Sequence, residues 1–468
     1  MADGQTLRLI EKPRSESGGQ DLSEDDKETE EGEPVQADGI NFWQTAISLS
    51  GSFAGLGFLA VEVLVVSTGW DGFCLFLSLY LALFYTSVIL GRCWNMVREK
   101  WGNERHPYGA IGYEAYGDWA RKLINFLVAA TCFTNAIGSL LGFTELTLTI
   151  GGPALQGTLC YWPLAYGLLI CPFLWLGTPK NFWWILANSF FTVVLSVILI
   201  IMSIFLAGDS HSSGYASDSN SSGYAGASDE TQQESQYLHL AEIAGTVIWL
   251  VGLHGSFPTV QQDMKQPQAF TQSIILADLM TLFLCLPVML ALFIVYGDTL
   301  TNVTGNAIVF TLLPDDALKK VSAFLILIHL AGVVLVVNNP LFQYLEEVLN
   351  ISPDFSWKRV VLRSSILLGQ VFIQETLPHF TLVSSISGGF LTPLLALLIP
   401  CLCYIRLRSQ RQEKPSNWFV LETVVCLFII AATPCLMVAI LLGTGTAIAR
   451  GDTAFTVPCY VNATRAAL

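Results

Sequence analysis

Gly51-Ser52-Phe53-Ala54-Gly55-Leu56-Gly57 lies in an apolar run from about 42 to 66, and the fold turns on how this stretch is read. The run is long enough to cross a bilayer. Three glycines in seven residues nevertheless make it a poor continuous helix, at roughly 1 kcal/mol per glycine relative to alanine in water. Within a bilayer, broken backbone is tolerated only where protein or a water-filled cavity satisfies the freed polar groups. A ligand is one occupant of such a cavity. Five residues beyond Gly57, Glu62 places a carboxyl near membrane depth, where an ionisable group is costly and points to function.

The surrounding composition supports a membrane setting. The 468 residues are 53% hydrophobic and only 13% charged, with a mean hydropathy of +0.54, which excludes an ordinary soluble globule. The net charge of −14 is concentrated in the first forty residues, which hold twelve Asp/Glu against four Lys/Arg. That stretch (1–41) lacks the apolar residues to fold alone and reads as a disordered acidic tail with a candidate phosphorylation site at Ser23. Its polar sequence is not that of a secretory signal peptide, so the first span is expected to direct membrane insertion. Of eleven cysteines, most sit in apolar runs as small hydrophobes, and only Cys160 and Cys459 fall clearly on the non-cytosolic side.

Eleven apolar windows follow, at 42–66, 72–96, 122–149, 159–176, 182–207, 238–259, 272–296, 321–346, 360–378, 381–405 and 418–442. With the N-terminus in the cytosol, nineteen of the 23 Lys and Arg lie on the cytosolic side, as the positive-inside rule requires. The same arrangement places the glycosylation sequons at Asn220, Asn302 and Asn462 outside, and the one at Asn350 inside. A membrane domain over 42–442 is expected, interrupted by a flexible external Ser/Gly-rich loop at 208–236 and followed by an external tail at 443–468.

The sixth window carries a second break, Gly252-Leu253-His254-Gly255-Ser256-Phe257-Pro258. Glycine-interrupted spans at corresponding positions of two five-span halves indicate an inverted-repeat transporter with a midplane site. The competing reading is close helix packing at small residues.

These residues also carry a resemblance. Gly55-Leu56-Gly57 through Glu62, with Gly69-Trp70, resembles the first-span pattern of the amino acid/auxin permease family. Pro107-Tyr108-Gly109 and Tyr296-Gly297-Asp298 are similar to that family's loop signatures. The sixth-span His254-Gly255-Ser256-Phe257-Pro258, followed by Asp263-Met264-Lys265-Gln266-Pro267, is the most specific match. The resemblance spans 42–442 and implies an all-α membrane protein of eleven helices. It further implies a leucine-transporter-like 5+5 inverted repeat with helices 1 and 6 broken, and secondary transport of amino acids driven by protons or sodium. Three positions depart from the family pattern: Glu62 replaces a proline, Ser139 an aromatic residue, and Val251-Gly252-Leu253 a Phe-Ala/Gly-Gly.

The candidate substrate contacts are accordingly Ser52, Gly55, Leu56, Gly57, Val251, Gly252, His254, Gly255 and Ser139, with Asn135 on the Ser139 face. Glu62, His254 and Asn339 are candidates for ion coupling. Glu62 reads equally as a proton carrier or as a structural carboxyl, and His254 equally as a substrate ligand or a cap for freed carbonyls. Asp278, His329 and the Gln370, Gln374, Glu375 series have weaker claims. No catalytic motif, metal site or cofactor is indicated, and short basic loops give no support for nucleic-acid binding. The expected partners are an amino acid, small and neutral by preference, and the lipid bilayer; protons are the preferred coupling ion, with sodium as the alternative. A transporter-like amino acid sensor is the rival function. Plasma membrane and lysosomal or vesicular membranes fit equally.

Overall fold

The computed structural model describes residues 39–53, 56–102, 104–175, 183–211, 229–297, 300, 308–352, 354–377, 380–411, 417–450 and 461. Gly55 and the sequons at Asn220, Asn302 and Asn462 lie outside the described residues, as does all of the acidic tail before residue 39. The regular secondary structure among the described residues is helical, apart from one isolated parallel bridge between Ile40 and Met264.

Among the described residues, eight helices are long and apolar enough to cross a membrane: Gly69–Trp101, Asp118–Gly151, Ala187–Gly208, Gln236–Gln262, Pro267–Tyr296, Ala317–Val348, Leu382–Gln410 and Asn417–Ala449. The shorter helices α1 (Phe42–Phe53) and α2 (Leu56–Ser67), at 61° to each other, make a ninth when the pair is counted as one span. The window at 159–176 falls on the shorter α6 (Trp162–Trp175), and that at 360–378 on α13 (Trp357–Thr376). α13 carries Lys358, Arg359, Arg363, Gln370, Gln374 and Glu375, which makes it the least apolar of the long helices.

Two boundaries differ from the sequence reading. α7 (Trp183–His211) and α8 (Asp229–Val251) both enter the stretch assigned to an external loop at 208–236. The polar run after Asp229 is rich in Glu and Gln, good helix formers, so the helix starts before the apolar residues do. α16 (Asn417–Arg450) likewise runs past the 442 boundary. Cys160 is disulfide-bonded, whereas the nine other described cysteines are free; Cys459 lies outside the described residues.

α2 is apolar all round and is buried all round: every side chain from Phe58 to Val66 is enclosed, Glu62 included. Around it pack α3 (Gly69–Trp101), α8 and α10 (Phe270–Tyr296). α12 (Ala317–Val348) packs on α5 (Asp118–Gly151) and α7. Between α14 (Phe380–Ile386) and α15 (Ile399–Gln410) the helix widens into π turns at Ser387–Leu391 and Leu394–Leu398. There Gly388 lies so close to α8 that a Cβ would fall 1.8 Å from the Gly245 carbonyl oxygen. Small residues allow this approach in membrane helices.

Several ion pairs gather at one pole. Glu346 of α12 accepts from Arg359 Nε (2.9 Å) and Arg363 Nε (2.8 Å), all three buried. Arg105 stands 3.6 Å away, and His106 Nε2 meets Glu347 at 2.9 Å. On α4 (Pro107–Tyr116), burial alone would raise the Glu114 carboxyl. Hydrogen bonds from Lys100 (2.6 Å) and Trp101 Nε1 (2.8 Å), with the Lys100 charge, instead hold it below the usual carboxylate range. Here too, Ile40 N–H donates to the Asp263 carbonyl (2.9 Å) and Lys265 N–H to the Ile40 carbonyl (2.8 Å). The bridge ties the entry of the first span to the exit of the sixth.

Candidate functional site

The sixth span breaks where its glycines and proline predict. α8 ends at Val251, and Gly252 leaves the helix with φ −76° and ψ 35°. Leu253–Gly255 make one tight turn before α9 (Phe257–Gln262) restarts with proline in its first turn. The first-span bend lies beside this break. Phe53, the last residue of α1, meets Phe257, the first of α9, edge to face at 6.0 Å. Gly57, in the first turn of α2, lies under Trp249 and Leu250 at the end of α8. The two interruptions therefore adjoin, with the first half of each span beside the second half of the other: α1 meets α9, and α2 packs on α8.

Trp249 fills the space above them. A Cβ on Gly57 would lie 2.8 Å from the indole, and one on Gly138 of α5 would lie 2.6 Å from it. The ring is held between two positions where any side chain would collide. Below it, Gly255 is in van der Waals range of Val128 of α5, and Gly252 abuts Thr392 between the π turns. Val128, Thr131 and Asn135 share one helical face. The Thr131 hydroxyl, the Asn135 carbonyl oxygen and the Thr392 hydroxyl are all buried without a hydrogen-bond partner. Each unmade bond in such surroundings costs about 1–3 kcal/mol, which a bound donor would offset. Unpaired oxygens of this kind suit a hydrogen-bond donor such as an ammonium group.

The remaining candidates have distinct placements. Val251, Gly252, His254 and Gly255 are all at the sixth-span break. His254 is buried against Phe257, with Nε2 3.0 Å from Thr86 Oγ1 of α3. Thr86 itself reaches the Ala82 and Leu83 carbonyls, so toward the imidazole it offers a lone pair, and Nε2 carries the hydrogen. Nδ1 is then a bare acceptor, without a partner. Ser52 and Ser139 direct their hydroxyls to their own helices, at Ser48 O (2.8 Å) and Asn135 O (3.0 Å). Asn339 is buried on α12 beside Pro340, which leaves the Val336 carbonyl without its helical donor. Gln370 donates to Asn338 (2.7 Å), and Gln374 to Leu140 O (3.0 Å) and Thr144 (2.9 Å), so both hold helices together. Glu62 is not in the break. It lies one and a half turns along α2, 0% exposed, with neither carboxyl oxygen hydrogen-bonded and Cys285 of α10 within reach of its charge. Trp249, Gly138, Thr131 and Thr392 are absent from the sequence-derived candidates; a tryptophan and two hydroxyls inside apolar windows read there as ordinary span residues.

An all-helical arrangement with eight membrane-length helices among the described residues defines an integral multi-pass membrane protein. Residues 38–444 match the family described as transmembrane amino acid transporter protein, and the chain belongs to that family. The family is one of transporters, not enzymes. Among its relatives in Arabidopsis thaliana, amino acid transporter AVT1E is 22% identical over 392 residues, covering 81% of this chain and 69% of that protein. Amino acid transporter AVT1J is 23% identical over 387 residues, covering 80% and 84%. The crystal structure of MhsT in complex with L-phenylalanine shares the fold, with a TM-score of 0.58 over 87% of this chain and all of that one, at 16% identity.

Proposed function

We propose that the protein is a secondary active transporter of small neutral amino acids, coupled to protons and working by alternating access around the adjoining breaks. The observation that carries this reading is the pairing of Phe53 with Phe257 and of Gly57 with Trp249. It supports eleven spans in two inverted five-span halves, followed by a last helix, with α6 and α13 counted as spans. Backbone from Ser52 to Gly57 and from Gly252 to Ser256 holds the substrate's charged ends, and Thr131, Asn135 and Thr392 supply side-chain oxygens. Glu62 is the preferred coupling carboxyl. The N-terminus is cytosolic and the C-terminus external or luminal, in a plasma, lysosomal or vesicular membrane. Basic residues at the pole of Glu346 support this orientation, as does the disulfide at Cys160, which belongs in a non-reducing compartment.

Reconstituted into liposomes, the protein is expected to accumulate radiolabelled small neutral amino acids when a pH gradient is imposed. Glu62→Gln should retain substrate exchange and lose gradient-driven accumulation. Tight binding by the wild type with no flux would replace transport with sensing.

Side-chain selectivity follows from Trp249. Trp249→Leu vacates the space between Gly57 and Gly138, so uptake of a larger neutral amino acid should rise relative to alanine. Contacts of methylene size in an apolar pocket discriminate by about 1–3 kcal/mol, roughly 10- to 200-fold. Gly138→Ala should narrow the range instead. Competition with alanine, leucine and phenylalanine measures both effects; an unchanged order in the two variants would remove Trp249 from the site.

A further inference from the structure

Asp278 lies on α10, 3% exposed, with Oδ2 buried and unpartnered. It shares one helical face with Thr281 and Cys285, at i, i+3 and i+7. Every helix that packs against α10 contributes to its surroundings. From α3, the Tyr80 hydroxyl donates to the Asp278 backbone carbonyl (2.7 Å) and so leaves the carboxyl alone. The Ser87 hydroxyl faces the carboxyl and also lies 2.7 Å from the Phe84 carbonyl, which competes for its one hydrogen. From α2 comes Glu62, one turn or more away beside Cys285. α1 contains no titratable residue, and α7 contains none between Trp184 and Gly208. Among the described residues, no cation is paired with Asp278.

We propose that Asp278 is a second proton-binding site, distinct from Glu62, and that its protonation is linked to the docking of α1. A carboxylate here would be a buried charge with one oxygen unpartnered and no paired cation among the described residues, whereas the carboxylic acid carries no charge to bury. The closed arrangement therefore favours the protonated form. One turn along, Thr281 bonds Ser50 of α1 at 3.1 Å, so the face bearing Asp278 is closed by the half-helix that precedes the first break. Burying a bare charge costs several kcal/mol. Loss of the proton thus favours water reaching Asp278, which requires α1 to leave α10. By linkage, opening of α1 favours release of the proton to the side it opens. The carboxylate takes one proton from water on one side and returns it to water on the other, with no other bond changed.

This inference rests on the transport reading for its consequence, and two kinds of measurement separate them. In liposomes, Asp278→Asn should keep amino acid exchange at equal pH, lose pH-driven accumulation and lose substrate-induced proton uptake, reported by an enclosed pH dye. Asp278→Glu should restore some of each. In the infrared, the wild type should show the carbonyl band of a buried carboxylic acid that Asp278→Asn removes and Glu62→Gln leaves. Accumulation by Asp278→Asn at the wild-type level, or persistence of the full band in that variant, would overturn the proposal. Should the wild type move no amino acid, transport falls, while the infrared comparison still decides whether Asp278 holds a proton. If Asp278→Asn does not fold, the Ser87→Ala variant is read instead: removing the hydroxyl that faces the carboxyl should shift the Asp278 band to higher frequency, and an unshifted band would overturn the assignment.

Discussion

Replacing Gly252 with alanine is expected to abolish amino acid uptake while leaving a folded protein in the membrane. A Cβ at this position would fall 2.0 Å from the Thr392 methyl and 2.3 Å from the Ile248 carbonyl oxygen. The methyl can rotate away; the carbonyl is backbone and cannot. The break must therefore reshape, which shifts the chain between Val251 and Ser256 by the few tenths of an ångström that separate productive from unproductive substrate placement. Overpacking of this kind costs about 1–3 kcal/mol, which a helical bundle with a large buried core tolerates. The loss should thus appear in substrate binding, measured by scintillation proximity, before it appears in thermal stability. Gly369→Ala on α13, where an added Cβ meets nothing within 4 Å, is the matched control and should behave as wild type. Wild-type uptake by Gly252→Ala would place the site elsewhere.

Glycine and proline act locally, so the sequence points to both interruptions; the α-helix of the sixth span gives way to a tight turn at Leu253–Gly255, while the first-span interruption falls on residues outside the described ones. A helix cannot run through Gly252 to Pro258 unchanged, whatever surrounds it. Their adjacency was legible only through the inverted-repeat argument and the family resemblance, since nothing local links Phe53 to Phe257 across some two hundred residues. The wall of the site was less accessible. Trp249 is one aromatic residue in an apolar run, and only the glycines pressed against its two faces identify it as a wedge. Thr131 and Thr392 are hydroxyls of a type that commonly bonds back to its own helix, as Ser139 does. Whether such a group is spent or available depends on tertiary contacts.

Span assignment shows the same division. Long apolar helices such as α10 and α12 follow directly from hydropathy. The 360–378 window on α13 is the more polar case, because its polar residues are paired inside the protein: Arg359 and Arg363 with Glu346, Gln370 with Asn338, Gln374 with α5. Hydropathy scores such side chains as if exposed to lipid. Helix ends fail for the opposite reason, since α8 begins in polar residues that favour helix without favouring membrane.

The largest loss of stability is expected from Glu346→Ala. The carboxylate is 0% exposed and is the shared acceptor for Arg359 and Arg363, one turn apart on α13. Arg363 also donates to the Leu174 carbonyl (2.7 Å) and lies over the Phe342 ring at 4.9 Å, so it cannot swing out to solvent without giving up contacts to α6 and α12. Removing the carboxylate takes away the acceptor that two enclosed guanidinium groups share. Breaking a buried pair from one side costs about 3–5 kcal/mol, and here one deletion removes an acceptor from two cations. α13 should detach from α12 and α6, and detergent-solubilised Glu346→Ala should elute as aggregate or melt well below wild type. Glu347→Ala is the comparison: its partner His106 is 2.9 Å away, but the carboxylate is half exposed, and such pairs contribute about 0–1 kcal/mol. Replacing Glu346, Arg359 and Arg363 together with leucine should recover much of the loss, because an apolar cluster of similar volume has no charge to desolvate. A Glu346→Ala protein that melts with wild type would mean that water reaches both arginines and that this pole is open.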